Sequence, residues 1–154
     1  MSNFSLKLNT IAINTDSYLK SVFSKQKERS QLIVPMKYGV FSGGKRFRSA
    51  IIVNTGKIFG IDYKKLIIIG AAVECIHSYS LIHDDLPSMD NDDLRRNKPS
   101  THKKFNEFTA ILAGNSLLTL AFEILSGNDL KLSQKIKAEL IKSLSNCSGH
   151  SGLA

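Results

Sequence analysis

His77-Ser-Tyr-Ser-Leu-Ile-His-Asp-Asp-Leu-Pro-Ser-Met-Asp-Asn-Asp-Asp-Leu-Arg-Arg-Asn-Lys-Pro-Ser-Thr-His102 is the stretch on which the reading of the chain turns. An apolar helical run breaks here into clustered carboxylates and then into cations. Five acidic residues (Asp84, Asp85, Asp90, Asp92, Asp93) fall within ten positions of a chain that has only 13 Asp plus Glu and a net charge of +8. Carboxylates this close repel one another, and their oxygens are the hard ligands Mg²⁺ takes, one or two at a time, together with substrate phosphates. Arg95 and Arg96 follow directly, with forked donors suited to phosphate oxygens. Acids for a metal beside arginines for phosphate suggest a diphosphate. The plainer alternative is a solvated surface turn whose charges cancel. An EF-hand fails, because a loop starting at Asp90 places Arg95 where the turn glycine belongs and Thr101 where the bidentate Glu belongs.

Helical geometry orders the stretch. His77 and Asp84 are seven positions apart, so they share a helix face about 10 Å apart, with Ser80 between them on nearly the same face. Asp84 and Asp90 would lie about 240° apart on an unbroken helix and could not share a metal. Pro87 resolves this: it cannot sit in a helix interior and it drives Leu86 out of the α region, so the helix is expected to end near Asp85 and the loop to fold Asp90 back. The negative end of the helix would favour a cation there.

The remaining composition narrows the function classes. A chain of 154 residues with 42% hydrophobic content is globular, one domain or part of one. The positive charge invites nucleic-acid binding, but the lysines are scattered and no nucleic-acid motif is present, so small anionic substrates and no nucleic-acid partner are expected. Cys75 and Cys147 lack metal-ligand spacing and fit a reducing compartment. The first ten residues hold no long apolar core, and the run from Leu66 to His83 is interrupted by Glu74 and His77, so a soluble, cytoplasmic protein without a membrane partner is expected.

Helices are predicted over Leu8 to Gln26, Leu32 to Phe41, Phe47 to Phe59, Tyr63 to His83, Phe105 to Leu125 and Leu130 to Ser145, with no convincing strand alternation and no internal repeat. The fold class is therefore all-α, antiparallel helices around a cavity. Between the second and third helices, Gly43-Gly44-Lys45-Arg46-Phe47-Arg48 permits positive φ and close backbone approach to a ligand, followed at once by cations. If Lys45 opens the next helix, Lys45 and Arg48 point the same way. A plain C-cap glycine pair is the alternative, and the segment does not match a Walker loop.

The segments Gly43 to Arg48, His77 to Asp90, Asp93-Leu-Arg-Arg96, Lys98-Pro-Ser-Thr-His102 and Ile111-Leu-Ala-Gly114 together resemble the trans-isoprenyl diphosphate synthases, most nearly the bacterial farnesyl diphosphate synthase (geranyltranstransferase) branch. That resemblance implies the isoprenoid synthase fold and a prenyltransferase that joins isopentenyl diphosphate to an allylic diphosphate (dimethylallyl or geranyl). It implies that Asp84 and Asp90 hold Mg²⁺, which Mn²⁺ can replace, with Asp85 in the same catalytic motif. Lys45, Arg48, His77 and Arg96 would bind the isopentenyl diphosphate, and Arg95 the allylic diphosphate. Tyr79, with Ser80 beside it, matches the floor that limits product length. A homodimer is implied as well.

Departures from the pattern shape the expectation. Ser49 stands where the family usually has proline and Asn115 where it usually has aspartate, and tolerance is expected at both. The second aspartate-rich motif of the family has no counterpart in these residues. The chain is therefore expected to be the N-terminal half, residues 1–154, of one polyprenyl synthetase domain and to be inactive alone. A non-catalytic partner subunit of a full-length synthase, and a geranylgeranyl-type synthase, are the alternatives.

Overall fold

The computed structural model describes residues 3–26 and 30–153; the expected chain end at Ala154 lies outside the described residues. Among the described residues the order is α1 (Asn3–Lys25), α2 (Ile33–Val40), α3 (Phe47–Ile58), α4 (Tyr63–Asp84), β1 (Leu94–Arg95), β2 (Lys98–Pro99), α5 (Thr101–Lys104), α6 (Glu107–Ser126) and α7 (Gln134–Ser148). The architecture is all-α.

Each boundary has a local cause. Asp62 caps α4 by accepting from Lys65 N–H at 3.2 Å. The long helix expected from Phe105 instead starts two residues later, because the Asn106 side chain accepts from Thr109 N–H at 2.7 Å and so caps α6. The separate short turn α5 precedes it. At the far end of α6, buried Lys137 of α7 donates to the carbonyls of Ser126 (3.3 Å) and Gly127 (2.7 Å). That cation satisfies carbonyls a helix C-terminus leaves open.

The helix α4 is central, packing against α1, α2, α3 and α6. Its Ile68, Ala71, Ala72, Cys75 and Ile76 are buried in one cluster with Ala110, Ala113, Leu117, Leu120 and Ala121 of α6, while its Leu66 and Ile67 join Ile11, Ala50 and Val53 of α1 and α3 in a second. Burying each large aliphatic side chain is worth roughly 1.5–3 kcal/mol. Close approach of α3 and α4 depends on Gly70, where a Cβ would run into the Ser49 hydroxyl. By length and composition α4 and α6 could each cross a membrane, yet 61% and 44% of those windows are buried inside the fold. Their apolarity is used for the core.

Where no strand was expected there is a minimal hairpin: Leu94 pairs with Pro99 and Arg95 with Lys98, antiparallel. Its two turn residues, Arg96 and Asn97, both have positive φ (54° and 61°), as a two-residue type I′ turn requires. Strands of two residues are too short for alternation to show in sequence.

Candidate functional site

The predicted break at Pro87 is present. After α4, Leu86 N–H donates to the His83 carbonyl, and the N–H groups of Met89 and Asn91 both donate back to the Leu86 carbonyl. The loop thereby returns on itself, and the N–H of Asp90 donates to the carbonyl of Asp84 at 2.8 Å. Asp84 is half-buried at the helix end and Asp90 exposed beside it. Two carboxylate-bearing residues on adjoining backbone form a donor set that fits Mg²⁺, which completes its shell with water and substrate oxygens. Among the described residues no three His, Cys, Asp or Glu side chains gather at one point.

Asp85 separates from them. It is 2% exposed, and Arg95 grips it from the hairpin, with Nε 2.8 and 2.9 Å from its two oxygens and Nη2 2.5 Å from Oδ1. The sequence places Asp85 with the other motif acids and Arg95 on a substrate; the fold ties these two to each other. The forked guanidinium matches the carboxylate, which anchors the hairpin to the end of α4. Among the described residues no hydrogen bond engages Arg95 Nη1, which leaves that nitrogen for a further ligand.

The cations assemble from three elements. Lys45 is exposed in the loop and does not begin α3, which starts at Phe47, so the shared helical face expected for Lys45 and Arg48 is replaced by a loop–helix pair. The intervening Arg46 takes a left-handed conformation (φ 49°) that turns the chain between them. Arg96 reaches across from the hairpin tip and donates to the Gly43 carbonyl. A Cβ on Gly44 would stand 2.5–2.9 Å from the Arg96 guanidinium and displace it, and the φ of 116° there favours glycine in any case. Burial first, then the positive charges of Arg48, Arg96, Arg46 and Arg95, lowers the His77 imidazole to about 4. His77 is thus a neutral ring facing cations, a hydrogen-bond partner for an anion rather than a charge. Arg48 and Arg96 lie close enough to His77 for their charges to act on it, and Lys45 is exposed in the adjoining glycine loop.

Beneath this cluster lies a network that residue patterns did not single out. Arg46 is buried, donating through Nε to Asp16 (2.7 Å) and through Nη2 to the Val40 carbonyl (2.7 Å), with Nη1 3.8 Å from Glu74. Glu74, 2% exposed, accepts from the Ser49 N–H at 3.1 Å, and Ser49 Oγ shares a 2.7 Å hydrogen bond with Thr15. Ser49 is therefore a junction of α1, α3 and α4, where sequence reasoning expects mere tolerance. Asn115, by contrast, is exposed on α6. The available signal was Glu74 itself, a carboxylate inside an apolar helix.

One turn before the carboxylates, Tyr79 meets His83 edge to face (centroids 4.8 Å apart), and His83 Nε2 lies 3.1 Å from the Ile111 carbonyl of α6. Ser80 is half-buried and donates to the His77 carbonyl at 3.0 Å. Cys75 is fully buried, its thiol pushed up to about 12 mainly by burial, whereas Cys147 is exposed.

A helical layer around a long central helix, ending in acids that face arginines and a glycine loop, defines the class: this is an isoprenoid synthase fold. The chain resembles an FPP/GFPP synthase from Zymomonas mobilis, solved in its apo form, with a TM-score of 0.92 and 40% identity, covering 97% of this chain and 54% of that one. The polyprenyl synthetase family pattern matches residues 29–150, and the chain belongs to that family. It is 48% identical over 127 residues to the farnesyl diphosphate synthase of Escherichia coli (strain K12), covering 82% of this chain and 42% of the relative. It is 40% identical over 154 residues to that of Haemophilus influenzae, covering 99% and 52%. The chain spans about half the length of the curated relatives it matches.

Proposed function

We propose that this chain carries the first metal- and diphosphate-binding half of a trans-prenyltransferase of the farnesyl diphosphate synthase type. The observation that carries the reading is the return of Asp90 onto the Asp84 backbone at 2.8 Å. It makes one pair of carboxylates from residues that a continuous helix would separate.

In this reading Asp84 and Asp90 would hold Mg²⁺ and Arg95 beside them would face the diphosphate of an allylic substrate. When bound, the metal supplies positive charge that stabilises a departing diphosphate. Arg95, steadied by Asp85, offers Nη1 to the same leaving group. Lys45, Arg48, Arg96 and neutral His77 hold the diphosphate of isopentenyl diphosphate, so its double bond is presented to the electron-poor allylic carbon. Preorganised donors aimed at the charge that develops as the bond breaks are the main source of acceleration. Tyr79, packed against His83, would limit the product to farnesyl length. The second aspartate-rich motif of the family is absent from these residues, so the chain alone binds substrate without turnover.

Calorimetry tests this. The chain should take up geranyl diphosphate in a Mg²⁺-dependent manner, and incubation with isopentenyl and geranyl diphosphates should give no product. Geranyl diphosphate binding indifferent to Mg²⁺ would remove the reading, and efficient product formation would remove the claim of inactivity.

A further inference from the structure

We propose that Glu74 is a positioning residue for the diphosphate site, holding Lys45 and Arg48 in place through Arg46 and Ser49. The proposal rests on the diphosphate reading given above. A carboxylate in a cluster of arginines meant for an anion is at first sight counterproductive, because its charge opposes the ligand. Its bonding gives the reason. Glu74 Oε1 accepts from the Ser49 N–H at 3.1 Å, and Oε2 lies 3.8 Å from Arg46 Nη1, with both ends of that ion pair buried.

Each tethered residue directly follows one of the two free cations in the chain. Lys45 immediately precedes Arg46, and Arg48 immediately precedes Ser49. Arg46 and Ser49 are buried while Lys45 and Arg48 are exposed, so fastening the first pair to α4 aims the second pair outward. Glu74 also replaces a missing helix cap: Arg46 occupies the N-cap of α3 and makes no side-chain cap bond there. The Ser49 amide, one of the open donors of that helix end, goes to Glu74 instead. Glu74 lies one turn before His77 on α4, so the same helix that carries the imidazole also fixes the start of α3, whose Arg48 acts on it.

The test exploits opposite signs. Removing the Glu74 charge tightens diphosphate binding if the charge alone matters, and weakens it if position matters. The full chain, Glu74→Gln and Glu74→Met are titrated with inorganic diphosphate plus Mg²⁺ by calorimetry, with Tm recorded for each. Glu74→Met, with similar volume and no acceptor, should bind at least about tenfold more weakly, and Glu74→Gln, which can still accept from Ser49 but sets an amide against Arg46, about threefold more weakly. Amide exchange at Ser49 should quicken in Glu74→Met while the α6 core keeps its protection. A purely structural role would lower Tm and leave the affinity of the folded protein unchanged. Equal or tighter binding by the variants overturns the proposal alone; should Glu74→Met fail to fold, the Gln variant decides by the same criterion. No diphosphate binding by the unaltered chain removes the diphosphate reading, and this proposal with it.

Discussion

The amide of Asp90 donates to the carbonyl of Asp84 at 2.8 Å, so the two residues share a backbone hydrogen bond, while Arg95 is bonded to Asp85 and reaches Asp84 only through its charge. Neutralising either carboxylate should therefore remove metal affinity at little structural cost. Asp84→Asn and Asp90→Asn are expected to lower Mg²⁺-dependent geranyl diphosphate affinity by at least about tenfold, with stability within about 0.5 kcal/mol of the parent, as for surface changes. Calorimetry and urea melts check both halves of the statement.

Asp85 should behave in the opposite way. Its carboxylate is buried under Arg95, and breaking a buried charged pair strands the remaining partner. Asp85→Ala is expected to cost on the order of 2 kcal/mol, at the low side because Arg95 keeps some solvent contact. Arg95→Lys should recover little, since an ammonium cannot reproduce the fork. Urea denaturation of these variants, compared with Asp84→Asn, would show no such contrast if Asp85 were an ordinary motif acid.

Gly44→Ala introduces a side chain where φ is 116° and where the Arg96 guanidinium already lies. Strain of about 1–3 kcal/mol is expected. Displacement of Arg96 should also weaken isopentenyl diphosphate binding more than Arg96→Gln does alone, because the loop moves with it. Similar stability and affinity in Gly44→Ala and the parent would contradict the packing described.

His77 predicts a pH dependence whose sign can be worked out. Its folded value lies near 4, below the ordinary 6.5, so the unfolded chain takes up its proton first as pH falls. Stability from this residue is complete above about 6.5 and is lost on descending towards about 4. His77→Gln should flatten that part of a stability-versus-pH curve. Tracking the ring protons by NMR gives the midpoint directly, and a midpoint near 6.5 would refute the burial and charge assignment.

Much of the architecture was open to pattern reading because it depends on neighbours in sequence. Helical periodicity located the long helices to within a few residues, and Pro87 stopped α4 at Asp84 because a ring without an N–H does so wherever it occurs. The hairpin at Leu94–Pro99 and the split before α6 escaped, one being too short for a period and the other turning on a single cap bond from Asn106. Lys45 fell outside α3 because Arg46 adopts a left-handed conformation secured by Asp16 and Val40, residues of other helices.

By itself the sequence determined an all-α chain with carboxylates at a broken helix end, a glycine turn with cations, and the bend that returns Asp90 to Asp84. Tertiary structure alone decided that Asp85 belongs to Arg95, that Arg96 lies on Gly44, that His77 is neutral, and that Glu74 sits at the base of the site. Periodicity and chain breaks are carried by adjacent residues. Which carboxylate is buried, and which cation meets it, depends on dielectric surroundings assembled from segments tens of positions apart.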